Sequence, residues 1–203
     1  MENFSNYKTV SSTGESMYRV SGSKHIGLAY EVYSEQEIKG ILDKLWTEHH
    51  QATHICYSWR LGWEKKHYRI NDDGEPSGTA GKPIYGQIQS FDLTNVLIAV
   101  IRYYGGTKLG TSGLIDAYKT SSKLAIENAG IKDVPIMDHY TISFDYAIMP
   151  QVMKLLKEMN FEKIAAPFGE KAEVEFLLPM NSTKILLEKL EEWEVKYIHH
   201  GRR

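Results

Sequence analysis

Val96-Leu97-Ile98-Ala99-Val100-Ile101-Arg102-Tyr103-Tyr104-Gly105-Gly106-Thr107-Lys108-Leu109-Gly110-Thr111-Ser112-Gly113 is the stretch on which the fold turns. Its first six residues are apolar at every position, which predicts a central strand covered on both faces. Gly105 to Gly113 reads as a glycine-rich loop. Leu114 to Ala129 predicts a helix, with Leu114, Tyr118, Ser121, Ala125 and Asn128 along one stripe and Gly130 as its stop. In open α/β sheets ligands sit beyond the carboxyl ends of strands. A helix start adds unpaired N–H groups and a partial positive charge. Arg102 and Lys108 supply charge here, and Thr107, Thr111 and Ser112 supply hydroxyls. The loop therefore reads either as an anion or phosphate cradle or as a plain strand-to-helix connection capped by Thr111 or Ser112. It has neither the Gly-Lys-Ser/Thr of a Walker A loop nor Gly-x-Gly-x-x-Gly.

Upstream, residues 1–16 are rich in Ser, Thr, Gly and Asn and predict a flexible lead-in. Lys24 to Tyr33 reads as a strand. Ser34-Glu35-Gln36-Glu37 is a capping box, and Ile38, Ile41, Leu42, Leu45 and Trp46 follow at helical spacing, so a helix is expected from about Glu35 to His49. Thr53 to Leu61 alternates: Ile55, Tyr57, Trp59 and Leu61 share one face, and His54, Cys56, Ser58 and Arg60 the other. Glu64 to Asn71 returns as its hairpin partner, and Pro83 opens a short helix to about Gln89.

Downstream, Val134-Pro135 marks a connector. His139 to Ala147, a helix carrying Val152, Leu155, Leu156 and Met159, strands at Phe161 to Phe168 and Ala172 to Leu178, a helix capped by Asn181 or Ser182, and a strand from Glu194 to His200 complete the chain. That order, β-α-β-β-α-β, is the split pattern of a ferredoxin-like domain. The expected class is α+β, with a lead-in over 1–16, one domain over 17–133 and a second over 138–203. His199-His200 with Arg202-Arg203 reads as a solvated tail.

The 203 residues include 24 Lys and Arg and 26 Asp and Glu, with residues 1–137 carrying 15 of each sign. Neither half has the basic excess of a protein that holds nucleic acid by bulk electrostatics, although a local basic patch is compatible with this balance. The lone Cys56 rules out an intrachain disulfide and a multi-cysteine zinc site. A short longest apolar run and an N-terminus without a basic-then-apolar pattern point to a cytoplasmic protein with no membrane association.

A second loop, Asn71-Asp72-Asp73-Gly74-Glu75-Pro76-Ser77-Gly78-Thr79-Ala80-Gly81-Lys82-Pro83, gathers three carboxylates, two hydroxyls and a lysine. The carboxylates of Asp72, Asp73 and Glu75 suit a divalent cation or an Arg or Lys partner. The other reading is a turn whose Asp and Asn side chains bond their own backbone. No cofactor is otherwise indicated, and no residue is nominated as catalytic: Cys56 reads as core filler, and neither loop contains a histidine.

Together, Ala52-Thr53-His54-x-Cys56, Asp72-Asp73-Gly74-Glu75-Pro76-Ser77-Gly78-Thr79-Ala80-Gly81, Thr94-Asn95-Val96-Leu97 and Arg102-Tyr103-Tyr104-Gly105-Gly106-Thr107-Lys108-Leu109-Gly110 resemble the IMPACT family in its bacterial branch. The likeness covers about residues 15–130. It implies an N-terminal α/β sandwich similar to the second domain of ribosomal protein S5, and a ferredoxin-like C-terminal domain. It also implies a non-catalytic role in translation initiation, with RNA, the ribosome or a protein of translation control as partner. Alternatives are an enzyme acting on a phosphate-bearing small molecule and a protein-interaction module. Where relatives often have Lys-Ser-Arg-Phe-Ile near the first strand, this chain has Gly22-Ser23-Lys24-His25-Ile26. The expectation that follows is a convergence of the two loops at one end of the sheet. Asp72, Asp73, Glu75, Ser77, Thr79, Lys82, Arg102, Tyr103, Gly105, Gly106, Thr107 and Lys108 would then form one binding surface, with His54 and Arg60 on the same face and Tyr103 or Tyr104 free to stack on a base.

Overall fold

Residues 5–166 and 169–202 are described by the computed structural model of the chain, and they divide into two units, residues 7–134 and residues 135–202 with 5–6. In the first unit β1 (Asn6–Val10), β2 (Gly14–Val20), β3 (Ser23–Glu31), α1 (Glu35–Glu48), β4 (His54–Leu61), β5 (His67–Asn71), α2 (Gly81–Ser90), β6 (Val96–Tyr103), α3 (Gly110–Ala129) and β7 (Ile131–Pro135) follow in order. The main sheet runs β2-β3-β6-β4-β5 and is antiparallel throughout, while β1 pairs with β7.

The last strand of this sheet in sequence, β6, is thus inserted at its centre, and that position explains its unbroken apolar run. Leu97, Ala99 and Ile101 pack on the side of α1 with Ile38 and Leu45, whereas Val96, Ile98 and Val100 pack with Ile84 and Ile88 of α2 and Tyr118 and Ile126 of α3. Each large apolar side chain buried this way contributes about 2 kcal/mol. The capping box at the start of α1 forms, with Glu37 N–H donating to Ser34 Oγ at 3.2 Å. The Glu37 carboxylate reaches back to the N–H of Tyr33, one residue before the cap, at 2.8 Å.

Two expectations for this unit are corrected. The flexible lead-in over 1–16 is replaced, from Asn6 on, by β1 and the start of β2; residues 1–4 lie outside the described residues. The small residues there serve close packing. A Cβ on Gly14 would stand 2.1 Å from the Ala125 carbonyl oxygen of α3, and Ser16 Oγ donates to the Ser121 carbonyl at 2.8 Å. The second correction concerns α3, which begins at Gly110 rather than Leu114, so Thr111 and Ser112 sit inside its first turn and cap nothing. Leu109 holds the N-cap position and gives no side-chain hydrogen bond.

The second unit contains β8 (Met137–Phe144), α4 (Met149–Glu158), β9 (Glu162–Ala165), β10 (Ala172–Pro179), α5 (Thr183–Glu192) and β11 (Lys196–Arg202), with an antiparallel sheet in the order β11-β8-β10-β9. This is the βαββαβ arrangement of a ferredoxin-like fold. Its core joins Ile142, Phe144, Val174 and Phe176 of the sheet to Val152 and Leu156 of α4 and Leu186 and Leu190 of α5. Of the strand expected over 161–168, Pro167 and Phe168 lie outside the described residues. The cap expected of Asn181 or Ser182 does not form: Ser182 precedes α5 but gives no side-chain cap bond.

Nor is the C-terminal stretch a solvated tail. His199 and Arg202 belong to β11, and His199 Nε2 and Arg202 Nε lie 3.0 and 2.8 Å from Asp138 Oδ1, while Thr183 Oγ1 donates to Asp138 Oδ2 at 2.6 Å; Arg203 lies outside the described residues. Burial pushes the Asp138 carboxyl up, but the hydroxyl, the guanidinium and His199 outweigh it and hold it below the ordinary value. Among the described residues no helix is long and apolar enough to cross a membrane.

Candidate functional site

The sheet register brings three polar side chains into one row. His25 on β3 and His54 on β4 both stand opposite Arg102 on β6. All three share the face covered by α2 and α3. Arg102 is only 5% exposed and His25 is fully buried. The acidic loop folds over this row. Its Glu75, also buried, accepts from Arg102 Nη1 at 2.5 Å and from the Tyr118 hydroxyl of α3 at 2.9 Å. An ion pair so far from water holds only when its geometry and hydrogen bonds offset the loss of hydration.

The acidic loop is built by its own backbone as well as by its basic partner. Asp72 Oδ1 accepts from the N–H groups of Ala80 and Gly81 at 3.0 and 2.8 Å, and its Oδ2 from Gly78 at 2.9 Å. Asp73 Oδ2 accepts from Ile55 N–H at 2.7 Å and thereby ties the loop to β4. Thr79 Oγ1 donates to the Pro76 carbonyl, and the Lys82 stem lies beside Gly78. The three carboxylates therefore serve separate donors. Among the described residues no group of three or more His, Cys, Asp or Glu side chains is placed to hold a metal ion.

His54 is fixed in one tautomer by the same loop. Its Nδ1 stands 2.7 Å from the Asp73 carbonyl oxygen, an acceptor only, so that nitrogen carries the proton. In the neutral ring Nε2 is then an acceptor, and it lies 3.9 Å from Glu75 Oε1. Beneath, the Cys56 thiol lies 3.1 Å from the Asp72 carbonyl and 3.3 Å from the Tyr118 oxygen. Burial pushes the Cys56 thiol well above its ordinary value, and burial together with Cys56 does the same to the Tyr118 phenol. Neither is a ready nucleophile at neutral pH. His25 meets Tyr118 edge-on at 5.4 Å, and burial, then Arg102, lower its pKa to about 4. Both His25 nitrogens and Arg102 Nε lack a hydrogen-bond partner among the described residues.

The two loops do converge. A cavity of about 510 Å3 opens between them, lined by Thr53, His54, Glu75, Pro76, Arg102, Tyr104, Lys108, Leu109, Gly110, Thr111 and Leu114. The first turn of α3, with no side-chain cap, lies along it. Tyr104 is 46% exposed and carries the Arg102 guanidinium 5.5 Å from its ring centre.

Of the residues the sequence nominated, His54, Glu75, Arg102 and Lys108 line this cavity, and Asp72, Asp73 and Thr79 shape its wall. The others stand elsewhere. Tyr103 points to the side of α1, where its hydroxyl meets His49 Nδ1 at 2.8 Å and Lys24 Nζ lies 5.5 Å from its ring. Arg60 is buried at the far end of β4, donating to the Leu93 carbonyl. Gly105 is pressed against Gly22, where a Cβ would meet the backbone at 1.9 Å, and its N–H donates to Ser23 Oγ. Ser77, Gly106, Thr107 and Lys82 are exposed and outside the lining. Sequence reasoning missed Tyr118 as a partner of the ion pair and His25 as its buried neighbour. Only the strand register and the seating of α3, neither readable locally, bring them there.

Comparison with known proteins bears on the same region. The Impact N-terminal domain model matches residues 21–126, which contain the whole of the site. The chain is 32% identical over 186 residues to the IMPACT family member YvyE of Bacillus subtilis, spanning 92% of this chain and 86% of that one. It is 29% identical over 143 residues to the IMPACT family member YigZ of Escherichia coli, 70% of each chain. A crystal structure of a hypothetical protein superposes with a TM-score of 0.74 at 22% identity, covering 96% of this chain and 97% of the other, a likeness of fold.

Proposed function

The chain belongs to the IMPACT family, and we propose on that premise that it is a non-catalytic, cytoplasmic, RNA- or ribosome-associated regulator of translation. The observation that carries the reading is the cavity itself: Lys108 and the uncapped first turn of α3 lie at one cavity whose floor is the Arg102–Glu75 pair. Glu75 balances Arg102, which leaves Lys108 and the helix start as the net positive groups there, a local attraction for phosphate that the neutral overall charge hides. Arg102 is committed to Glu75 and is a positioning residue for this surface.

The alternative, an enzyme acting on a phosphate-bearing small molecule, draws on His54 and Glu75 meeting in the cavity at 3.9 Å. Cys56 does not supply its nucleophile, because burial keeps that thiol protonated. Crosslinking in cells followed by sequencing of bound RNA tests the reading. Recovery of ribosomal RNA that falls in the Lys108→Ala variant is the expected result. In vitro, that variant should also flatten the salt dependence of RNA binding by about 0.7 in log–log slope, one phosphate's worth for a single strand. No recovered RNA, or an unchanged slope, overturns it.

A further inference from the structure

We propose that the cavity between the two loops takes a single unstacked nucleotide, with its base inside and its phosphate at the start of α3. This rests on the RNA reading and says which part of an RNA would be recognised. A site for phosphate alone needs no apolar wall, yet here Pro76, Leu109, Leu114 and the Tyr104 ring surround the space. Its volume of about 510 Å3 lies in the range of small-ligand pockets. A duplex could offer only backbone to it. An unstacked base offers a flat apolar body with a hydrogen-bonding edge, which aromatic side chains accept by stacking.

The polar groups stand at two separate places, as a nucleotide requires. Lys108 and the N–H groups of the first α3 turn, whose N-cap residue supplies no side-chain acceptor, form the anion-binding end. At the floor, the neutral His54 ring offers Nε2 as an acceptor, because its Nδ1–H is given to the Asp73 carbonyl. The Arg102 Nε–H, without an acceptor among the described residues, is closed off from the cavity and takes no part in it. A base edge that carries a donor would meet the His54 acceptor. The ligand chemistry is a nucleoside monophosphate unit, and its two sources are an RNA end or loop and a free nucleotide.

Calorimetry with AMP, GMP, CMP and UMP, against ribose 5-phosphate and inorganic phosphate, tests for the unit. Competition with a labelled single-stranded 8-mer, compared with a hairpin duplex of like composition, identifies the source. At least one nucleoside monophosphate should bind about tenfold tighter than ribose 5-phosphate and displace the 8-mer, and Tyr104→Ala should weaken both about fivefold or more. Tyr104 is exposed, so the variant is expected to fold, which circular dichroism checks. Equal binding of ribose 5-phosphate overturns the base pocket. RNA that binds and responds to Lys108→Ala but ignores monophosphates and Tyr104→Ala overturns this inference and leaves the RNA reading standing. Monophosphates that bind when no RNA does support the pocket and overturn the RNA reading. If neither binds, both fall.

Discussion

Acidification should destabilise the first unit in a window set by one residue. His25 is fully buried between Arg102 and Tyr118, and its pKa falls to about 4 from an ordinary 6.5. Folding keeps the ring neutral while the unfolded chain takes up a proton below pH 6.5. Stability is therefore complete above that value, declines as pH falls toward 4, and loses no more from this group below it. The full difference is about 3 kcal/mol, of which about 2 kcal/mol is lost between pH 7.5 and 5. The charged neighbours are Arg102, which opposes protonation, and Glu75, which favours it. Urea unfolding followed by tryptophan fluorescence measures the loss. Trp46, Trp59 and Trp63 lie in the first unit and Trp193 in the second, so a Trp193→Phe background makes the signal specific. His25→Phe keeps the ring edge on Tyr118 and has no nitrogen to desolvate. It should be more stable at pH 7.5 by about 1 kcal/mol and should abolish most of the acid loss. A first unit equally stable at pH 7.5 and 5, or a variant that keeps the whole loss, refutes the reasoning. Should the variant misfold, the imidazole chemical shifts of the unaltered protein decide the pKa directly.

Glu75→Gln leaves the Arg102 guanidinium buried without its counter-charge and should cost about 3 kcal/mol, read from the urea midpoint of the first unit. Gly14→Ala pushes a methyl group onto the Ala125 carbonyl and should cost about 2 kcal/mol, visible as a lowered melting temperature with the second unit unchanged. Asp138→Asn should weaken the second unit by about 2 kcal/mol. Because Asp138 is held below the ordinary carboxyl value, its contribution is present above about pH 4 and disappears as pH drops through the lowered value. That window lies below the one set by His25, so a pH series of urea curves on the two units separates them.

The layering of the first unit could be read from its residues, because a strand apolar at every position has only one stable place, the middle of a covered sheet. β4 was equally readable, since alternation assigns His54 and Cys56 to one face and Trp59 to the other whatever the partners are. The βαββαβ order followed from element spacing alone. What escaped were features created by close approach. Gly14 and Ser16 look like linker composition until α3 is laid against them, and the tail looks solvated until Asp138 gathers His199 and Arg202. The site was half legible. The two loops announce themselves by glycine and charge, but the pairing of Glu75 with Arg102 spans 27 residues and depends on register. Tyr103 and Tyr104, adjacent in sequence, take opposite roles because Tyr103 ends β6 on the α1 side and Tyr104 follows it into the loop beside the cavity.

The buried row also sets the form of the cavity. If support for the fold were its only role, apolar residues of similar volume would serve as well or better than an ion pair. Charge fixes direction, which packing alone does not. With His25 neutral, Arg102 has one counter-charge within reach among the described residues, Glu75, and Glu75 is further held by Tyr118, so the pair has a single arrangement. A protonated His25 would set a second cation beside the guanidinium. The acid sensitivity and the preformed cavity are then consequences of one arrangement, and they should fail together. In Glu75→Gln, the affinity for a nucleoside monophosphate should drop even though Lys108, Tyr104 and the start of α3 are untouched. If affinity survives while stability falls, the row is scaffold only and the cavity owes its shape to the loops.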